Sequence, residues 1–387
     1  MEPEEEKPDD VPDMSAAQLA YAVVGGQADA AAKTKLLATI EAKAMAPWYA
    51  SLSAAHPQLF PPDAALVARL KALNDAEFAA ADAARDVAEK DAGDQEVLDA
   101  MFLKARAYAR IGDRDGAYAA YGAILGRPKV STGRRIDAIM QKIRVALFHL
   151  DSKQVRTDLD AAAALIDAGG DWDRRNRLKV YEAFYLMTAR DLKKAAGLLL
   201  ECTATFTCSE LCSYRDFVLY AVITNVLALP RTRLKTEVIE GPEVAAELRE
   251  LPALSRLVAA LYGCDYEQFF RALSEISDIV AGDRYLGRHA VYVVRELRVL
   301  SYAQFLEAYK SVVTATMAKA FGVSVPFLDA ELNRFIAAGR LNAKIDKVGG
   351  VVETNRPDRK NAQYQAAIKQ GDLLLNRVQK LSRVIDV

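Results

Sequence analysis

From Ala16 onward, apolar residues recur at intervals of three and four, the spacing of one face of an α-helix. The stretch "LVARLKALNDAEFAAADAARDVAEKDAGDQEVLDAMFLKARAYARIGD" (66–113) is rich in strong helix formers and is interrupted mainly near Gly93. Alternation of period two, the mark of a strand, is nearly absent before residue 340. Three segments loosely repeat one plan. In "KARAYARIGDRDGAYAAYGAIL" (104–125), Ala105 and Tyr108 fall on a first helix, Gly112 and Asp113 on a turn, and Ala117 and Tyr121 on a second helix. "KIRVALFHLDSKQVRTDLDAAAALI" (142–166) turns near Asp151 and Ser152, and "KVYEAFYLMTARDLKKAAGLLLECT" (179–203) near Arg190 and Asp191. The turns are about 38–40 residues apart, which is helical-repeat spacing. Such hairpins cannot bury their faces alone, so the pattern predicts a tetratricopeptide-like solenoid, with an irregular helical bundle as the alternative.

After Pro230 the helical pattern continues through 243–276 and 289–322. In "RFIAAGRLNAKIDKVGGVVET" (334–354) the period changes. A helix ends at Gly339. Leu341, Ala343 and Ile345 then alternate with Asn342, Lys344 and Asp346, Gly349 and Gly350 turn the chain, and Val351 to Thr354 return. Helix then hairpin is the plan of a winged helix, expected over about 303–354. The presumed recognition helix (324–340), with a cap at Ser324, carries Asp329 and Glu331 among few polar residues, which disfavours DNA. An isolated hairpin has open edges able to pair with another chain, so Lys344, Ile345, Asp346, Val351 and Val352 are candidate interface residues. The alternative is a wing that only closes its own core.

The ends differ from the middle. Residues 1–14 read as a disordered acidic tail, and 355–371 as a polar connector with a short helix. A final helix is expected to start at Asp372, after Gly371. Leu374, Val378, Leu381 and Ile385, spaced four, three and four, form an apolar stripe on it, a second candidate interface. The expected divisions are therefore 1–14, 15–230, 231–354 and 355–387.

Composition narrows the function classes. The chain has 387 residues, is 52% apolar and carries a formal net charge of −1, a balance without the basic footprint of a nucleic-acid binder. No apolar run approaches a membrane span, and four cysteines do not suggest a disulfide framework, so an intracellular, soluble protein is expected.

Motifs for chemistry are weak. Cys202, Cys208 and Cys212 are clustered, but a fourth zinc ligand would have to be the distant Cys264, so core packing is the expectation. His56, His149 and His289 form no metal-ligand pair, and "GRPKVSTGRR" (126–135) lacks the Gly-Lys-Ser/Thr of a phosphate loop. The acids and arginines of "GGDWDRRNRLKVYEA" (169–183) are expected to pair at a repeat junction. No catalytic residue, metal, cofactor or small-molecule substrate is expected.

The order of these parts resembles the PCI-domain family of the proteasome lid, the COP9 signalosome and translation initiation factor three. "MAPWY" (45–49), "GGDWDRRNRLKVY" (169–181), "RFIAAGRLNAKIDKV" (334–348), "VETNRPDRKNAQYQ" (352–365) and "GDLLLNRVQKLSRVI" (371–385) are most similar to the branch of non-ATPase lid subunits of the 26S proteasome regulatory particle. The resemblance implies a mainly α fold, in which a tetratricopeptide-like solenoid leads into a PCI domain with a winged-helix hairpin and a C-terminal helix. It also implies a scaffold that catalyses nothing and supports degradation of ubiquitinated proteins. Its partners would be other PCI subunits of the lid, the lid deubiquitinase and the ATPase ring, in cytoplasm and nucleus, with no nucleic acid and no membrane. Winged helices would associate through their sheets and C-terminal helices would form a bundle. The alternatives are the first-subunit branch of the COP9 signalosome and a nucleic-acid-binding winged-helix protein.

Overall fold

A computed structural model of the chain describes residues 11–91, 93–128, 130–355 and 359–385. They form two compact units. One comprises the chain up to Tyr262 with Ala272–Val294, the other Gly263–Arg271 with Arg295 onward. The units part later in the chain than the expected division at residue 230.

The first unit begins with α1 (Met14–Val24), α2 (Ala30–Ala42) and α3 (Ala46–Ala55). Residues 1–10 of the expected tail lie outside the described residues, but its end is structured. Asp13 Oδ1 accepts from the backbone N–H of Ala16 at 3.1 Å, capping α1, and Asp13 pairs with Lys43 at 3.0 Å. The hairpin series follows as α4 (Ala64–Asp91), α5 (Asp94–Arg110), α6 (Arg114–Leu125), α7 (Thr132–His149), α8 (Ser152–Asp167), α9 (Trp172–Thr188), α10 (Leu192–Cys202) and α11 (Tyr214–Ala228). From α4 to α11 each helix packs on its neighbours in sequence, as expected of a helical-repeat array. Ala105 and Ala117 are fully buried, letting α5 and α6 approach, while Tyr121 and Phe102 fill the space beside them. Shorter helices follow: α12 (Arg231–Leu234), running into a π turn, α13 (Pro242–Leu248) and α14 (Pro252–Gly263).

One device closes the three repeat turns. A residue in the left-handed region precedes an aspartate that caps the next helix: Gly112 before Asp113, Leu150 before Asp151, Arg190 before Asp191. The left-handed residue reverses the chain, and the carboxylate accepts an otherwise orphaned N–H of the following first turn. Only one of these turns uses glycine. Leu150 and Arg190 therefore carry a steric cost of about 1–2 kcal/mol each, offset by the cap and by packing on either side.

The loop joining α15 (Tyr266–Gly282) to α16 (Ala290–Ala308) ties this unit together. The Arg284 guanidinium is buried and donates to the carbonyls of Leu147, at 3.2 Å, and Phe148, in the last turn of α7. A cation at a helix C-terminus meets both the unpaired carbonyls and the negative end of the macrodipole. The Arg284 N–H donates to Gln18 Oε1 on α1 at 2.9 Å. Asp283 accepts from the hydroxyl of Tyr220 on α11 and from the N–H groups of Tyr285 and Leu286. His289 Nε2 lies 2.9 Å from the carbonyl of Thr188, at the end of α9.

The second unit holds β1 (Ser311–Val313), α17 (Thr314–Phe321), α18 (Val325–Ala337), β2 (Ala343–Asp346), β3 (Val351–Thr354) and α19 (Arg359–Ile385). Tyr302, Met317, Phe321, Leu328, Leu332, Phe335 and Val352 make its core. Gly339 and Gly350 take positive φ where α18 ends and where the hairpin turns. Cys264 and Asp265 repeat the turn device at the start of α15, with Asp265 accepting from Gln268 N at 3.2 Å.

Two expectations change here. The segment 289–322 is not helical throughout. Ser311–Val313 forms a third strand, and the sheet order is β1-β3-β2, antiparallel, with Val352 opposite both Val312 and Ile345. A three-residue strand carries too little alternation to stand out between two helices. The last helix does not start at Asp372 but at Arg359, and it runs through Gly371 without a break. A mid-helix glycine costs about 1 kcal/mol, which the helix formers on both sides outweigh.

Two outcomes follow for the first unit. Arg284→Met should lower its thermal midpoint, with a loss of about 2–4 kcal/mol from carbonyls left unpaired in the interior; an unchanged midpoint would show that the loop is not what holds α7 in place. His149, at the end of α7, has its pKa pushed down to about 4 by burial, then by the charges of Arg284 and Arg114. Its imidazole is therefore neutral in the native state, and the unfolded chain takes up the proton first as pH falls. Its contribution is complete above the ordinary histidine value and is lost between about pH 6.5 and about pH 4, by at most about 3 kcal/mol. Melting across that range should show a steeper fall for the native chain than for His149→Gln; parallel curves would refute the depressed pKa.

Candidate assembly surfaces

Polar side chains that carry chemistry elsewhere are engaged in packing here. The Cys202 thiol is pushed up to about 11 by burial, and Cys208 is raised further still by the same cause. Cys264 belongs to the second unit, where its Sγ lies 3.3 Å from Gln304 Nε2. Arg174 in the Trp172 segment pairs with Asp137 of α7 at 2.9 Å and with Asp171 at 2.5 Å, and Arg177 pairs with Asp173 at 3.3 Å, the expected junction. Ser131, in the stretch 126–135 that lacks the Gly-Lys-Ser/Thr of a phosphate loop, caps α7. A cavity of about 280 Å³ lies between α4, α5 and α6, floored by Ala119, Ala120 and Ala123 of α6. Its two cations, Arg85 and Lys104, both pair with Asp82. Among the described residues no group of three or more His, Cys, Asp or Glu is placed to hold a metal ion, and no helix is long and apolar enough to cross a membrane.

The winged-helix face of α18 also differs from the expectation. Glu331 does not face outward; it is buried, accepting from the Tyr302 hydroxyl at 3.1 Å and pairing with Arg298 at 3.0 Å. Asp329 pairs with Lys347 of the hairpin at 3.2 Å. Ser324 stands at the N-cap with extended backbone, but its side chain makes no capping bond.

The hairpin residues sort into two groups. β3 is the central strand, so Val351 and Val352 have no open edge, and Val352 is fully buried in the core. Their reading as interface residues is corrected accordingly. The chain supplies its own partner for that side of the hairpin in β1. Lys344, Ile345 and Asp346 lie on β2, which is an edge. Lys344 is exposed, Ile345 is half-buried against the core, and Asp346 Oδ1 accepts from Val348 N at 2.9 Å and Gly349 N at 3.1 Å, shaping the turn. In an antiparallel ladder alternate residues bond to the partner strand. Asn355 N–H bonds to the Asn342 carbonyl, which places the Ala343 and Ile345 backbone groups on the outer side. On β1 the bonds flanking the strand, Thr354 to Lys310 and Thr314 to Gly350, leave Ser311 and Val313 facing out. β1 is thus a second open edge, missed in the sequence because three residues hold no readable period.

Every residue of α19 whose side chain is described is exposed. Leu374, Val378, Leu381 and Ile385 are 56–71% exposed, and the stripe reaches further back than expected. Tyr364, Ala367, Gly371, Leu374, Val378, Leu381 and Ile385 are spaced three and four throughout. Ile368 and Leu375 widen this stripe to an arc of about 140°, at about 100° per residue. The spacing was present in the sequence, but reading Gly371 as a stop hid its first half. Among the described residues, none covers this exposed amphipathic face.

The family model for 26S proteasome subunit RPN7 matches residues 63–237, that for the PCI domain 271–356, and that for the RPN7/PSMD6 C-terminal helix 363–385. The last spans nearly the whole apolar stripe of α19. The chain is 44% identical to the 26S proteasome non-ATPase regulatory subunit 6 homolog of Arabidopsis thaliana, over 98% of this chain and 94% of that protein. It is 43% identical to the 26S proteasome non-ATPase regulatory subunit 6 of Dictyostelium discoideum, over 97% and 98%. With the 26S proteasome regulatory subunit RPN7 of Saccharomyces cerevisiae it shares 43% identity over 77% and 70%. Family models thus match three successive parts of the chain in one order, the Arabidopsis and Dictyostelium relatives align over nearly their whole length, and the chain belongs to the 26S proteasome non-ATPase regulatory subunit 6 (RPN7) family.

Proposed function

We propose that this chain is a non-catalytic scaffold subunit of the lid of the 26S proteasome regulatory particle, supporting ATP-dependent degradation of ubiquitinated proteins through assembly alone. The observation that carries this reading is α19, a helix of 27 residues whose apolar stripe is exposed throughout. Its partners are the other PCI subunits, the lid deubiquitinase subunit and the ATPase ring, in cytoplasm and nucleus. The β1 and β2 edges take neighbouring winged helices, and α19 enters a helical bundle. Four seam side chains at roughly 1.5–3 kcal/mol each supply enough free energy for α19 to be decisive for entry.

Leu381→Asp tests the bundle. Leu381 is exposed in the chain alone, so the free variant should keep its helical content and melting temperature within about 0.5 kcal/mol of the native chain. Native mass spectrometry of reconstituted lid should find the variant excluded; normal incorporation would sink the bundle role. The sheet edges are tested by Val313→Pro. At φ −69° and half-exposed, Val313 accepts proline with its own ladder intact, while losing an outward donor. Weakened assembly with a folded monomer is the expected result; unaltered assembly would mean that the β1 edge stays unpaired. The purified chain should turn over neither ATP nor ubiquitin conjugates, and turnover abolished by mutating its own residues would refute the scaffold reading.

A further inference from the structure

The apolar arc is not the whole of α19. Leu373, Arg377, Lys380 and Val384 are spaced four, three and four, and so form a second stripe, set about 100° round the helix from the Leu374 seam. Its ends are apolar and exposed, Leu373 at 55% and Val384 at 74%. Its middle holds two cations, and neither makes an ion pair among the described residues. The helix is basic as a whole: from Lys360 to Ile385 five lysines and arginines face one acid, Asp372.

We propose that this second stripe binds an acidic amphipathic helix of a neighbouring subunit, one with carboxylates central to its seam and apolar residues at both ends. The inference rests on α19 being an assembly helix and names the partner on its second side. A two-helix seam needs only the first stripe; a second stripe offset round the helix is what a helix enclosed by several others requires. Cations at interior seam positions are costly unless paired, and there they fix register and select a partner of opposite charge. A helix lying on an anionic lipid surface is the competing occupant for a basic amphipathic segment. Lipid would cover the wide arc but leave Leu373 and Val384 among the cations in water. A protein helix covers both ends and neutralises the middle.

The test uses the full chain in the assembled lid. Zero-length carbodiimide coupling joins an amine to a carboxylate in contact with it, so Lys380 should cross-link to an Asp or Glu on a partner's helix. Acetylation of Lys380 should slow by about tenfold or more relative to the free chain. The double variant Arg377→Glu/Lys380→Glu should enter the lid at least about tenfold less well while melting as the native chain does, because like charges then face each other. A matching acid-to-lysine change at the cross-linked carboxylate should restore entry. The proposal is overturned if Lys380 acetylates equally fast in lid and free chain, or if it is protected by phosphatidylserine vesicles and not by the lid. The seam variant Leu381→Asp separates the two readings. If it blocks entry while the charge reversal does not, the bundle stands without an acidic second partner; if neither blocks entry, both readings fall.

Discussion

The guanidinium of Arg284, seated on the carbonyls that end α7, joins positions 137 residues apart in sequence. Elsewhere along the hairpins of the first unit each helix meets the helix before it and the helix after it, an arrangement that is locally sound but globally loose. The loop around Arg284 breaks that pattern, reaching α1 through Gln18, α7 through Leu147 and Phe148, α9 through Thr188 and α11 through Tyr220. Burying an arginine is expensive, and the expense is tolerable only where carbonyls and an aromatic face meet the charge. Phe148 supplies both, its carbonyl to the guanidinium and its ring 5.6 Å beneath it. The same charge sits beside His149 and helps keep that imidazole neutral.

This long-range tie was invisible in the sequence, whereas the hairpins were not. Ala105, Tyr108, Ala117 and Tyr121 announce two packed helices because their period is local and each small residue faces a large one. The turns at Asp113, Asp151 and Asp191 were placed correctly, since an N-cap aspartate beside a break in periodicity is a local signal. Leu150 and Arg190 in the left-handed region were not foreseeable, because only glycine advertises that conformation. Asp283 and Arg284 read as two ordinary surface charges, and nothing near them in sequence says that their partners lie on α7 and α11.

The second unit shows the same limit at smaller scale. The alternation of Leu341, Ala343 and Ile345 against Asn342, Lys344 and Asp346 fixed β2 and its faces. Which strand is central depends on β1, three residues long and more than thirty residues upstream. With β1 in place, Val352 passes from edge to centre, and the residues able to receive a neighbour become Ser311, Val313, Ala343 and Ile345, through backbone groups rather than side chains. Glu331 moved in the opposite sense, from an expected surface acid to a buried partner of Tyr302 and Arg298. A polar residue on an amphipathic helix is assigned outward by default, and only the position of its partner overturns that.

Open sheet edges and the exposed α19 are two kinds of surface with different physics. An edge strand recognises a neighbour through backbone hydrogen bonds, which fix direction and register but distinguish poorly between sequences. Selectivity must then come from elsewhere, and helix seams provide it, because side chains at each position set which partner fits. On α19 the wide apolar arc favours association with any amphipathic helix, so the discriminating residues must be those that disfavour wrong ones. Arg377 and Lys380 answer that description: without a partner's carboxylates, covering them would strand two charges away from water. On the proposed reading, a scaffold that must enter one assembly and no other keeps its charges on the helix that the described residues leave exposed.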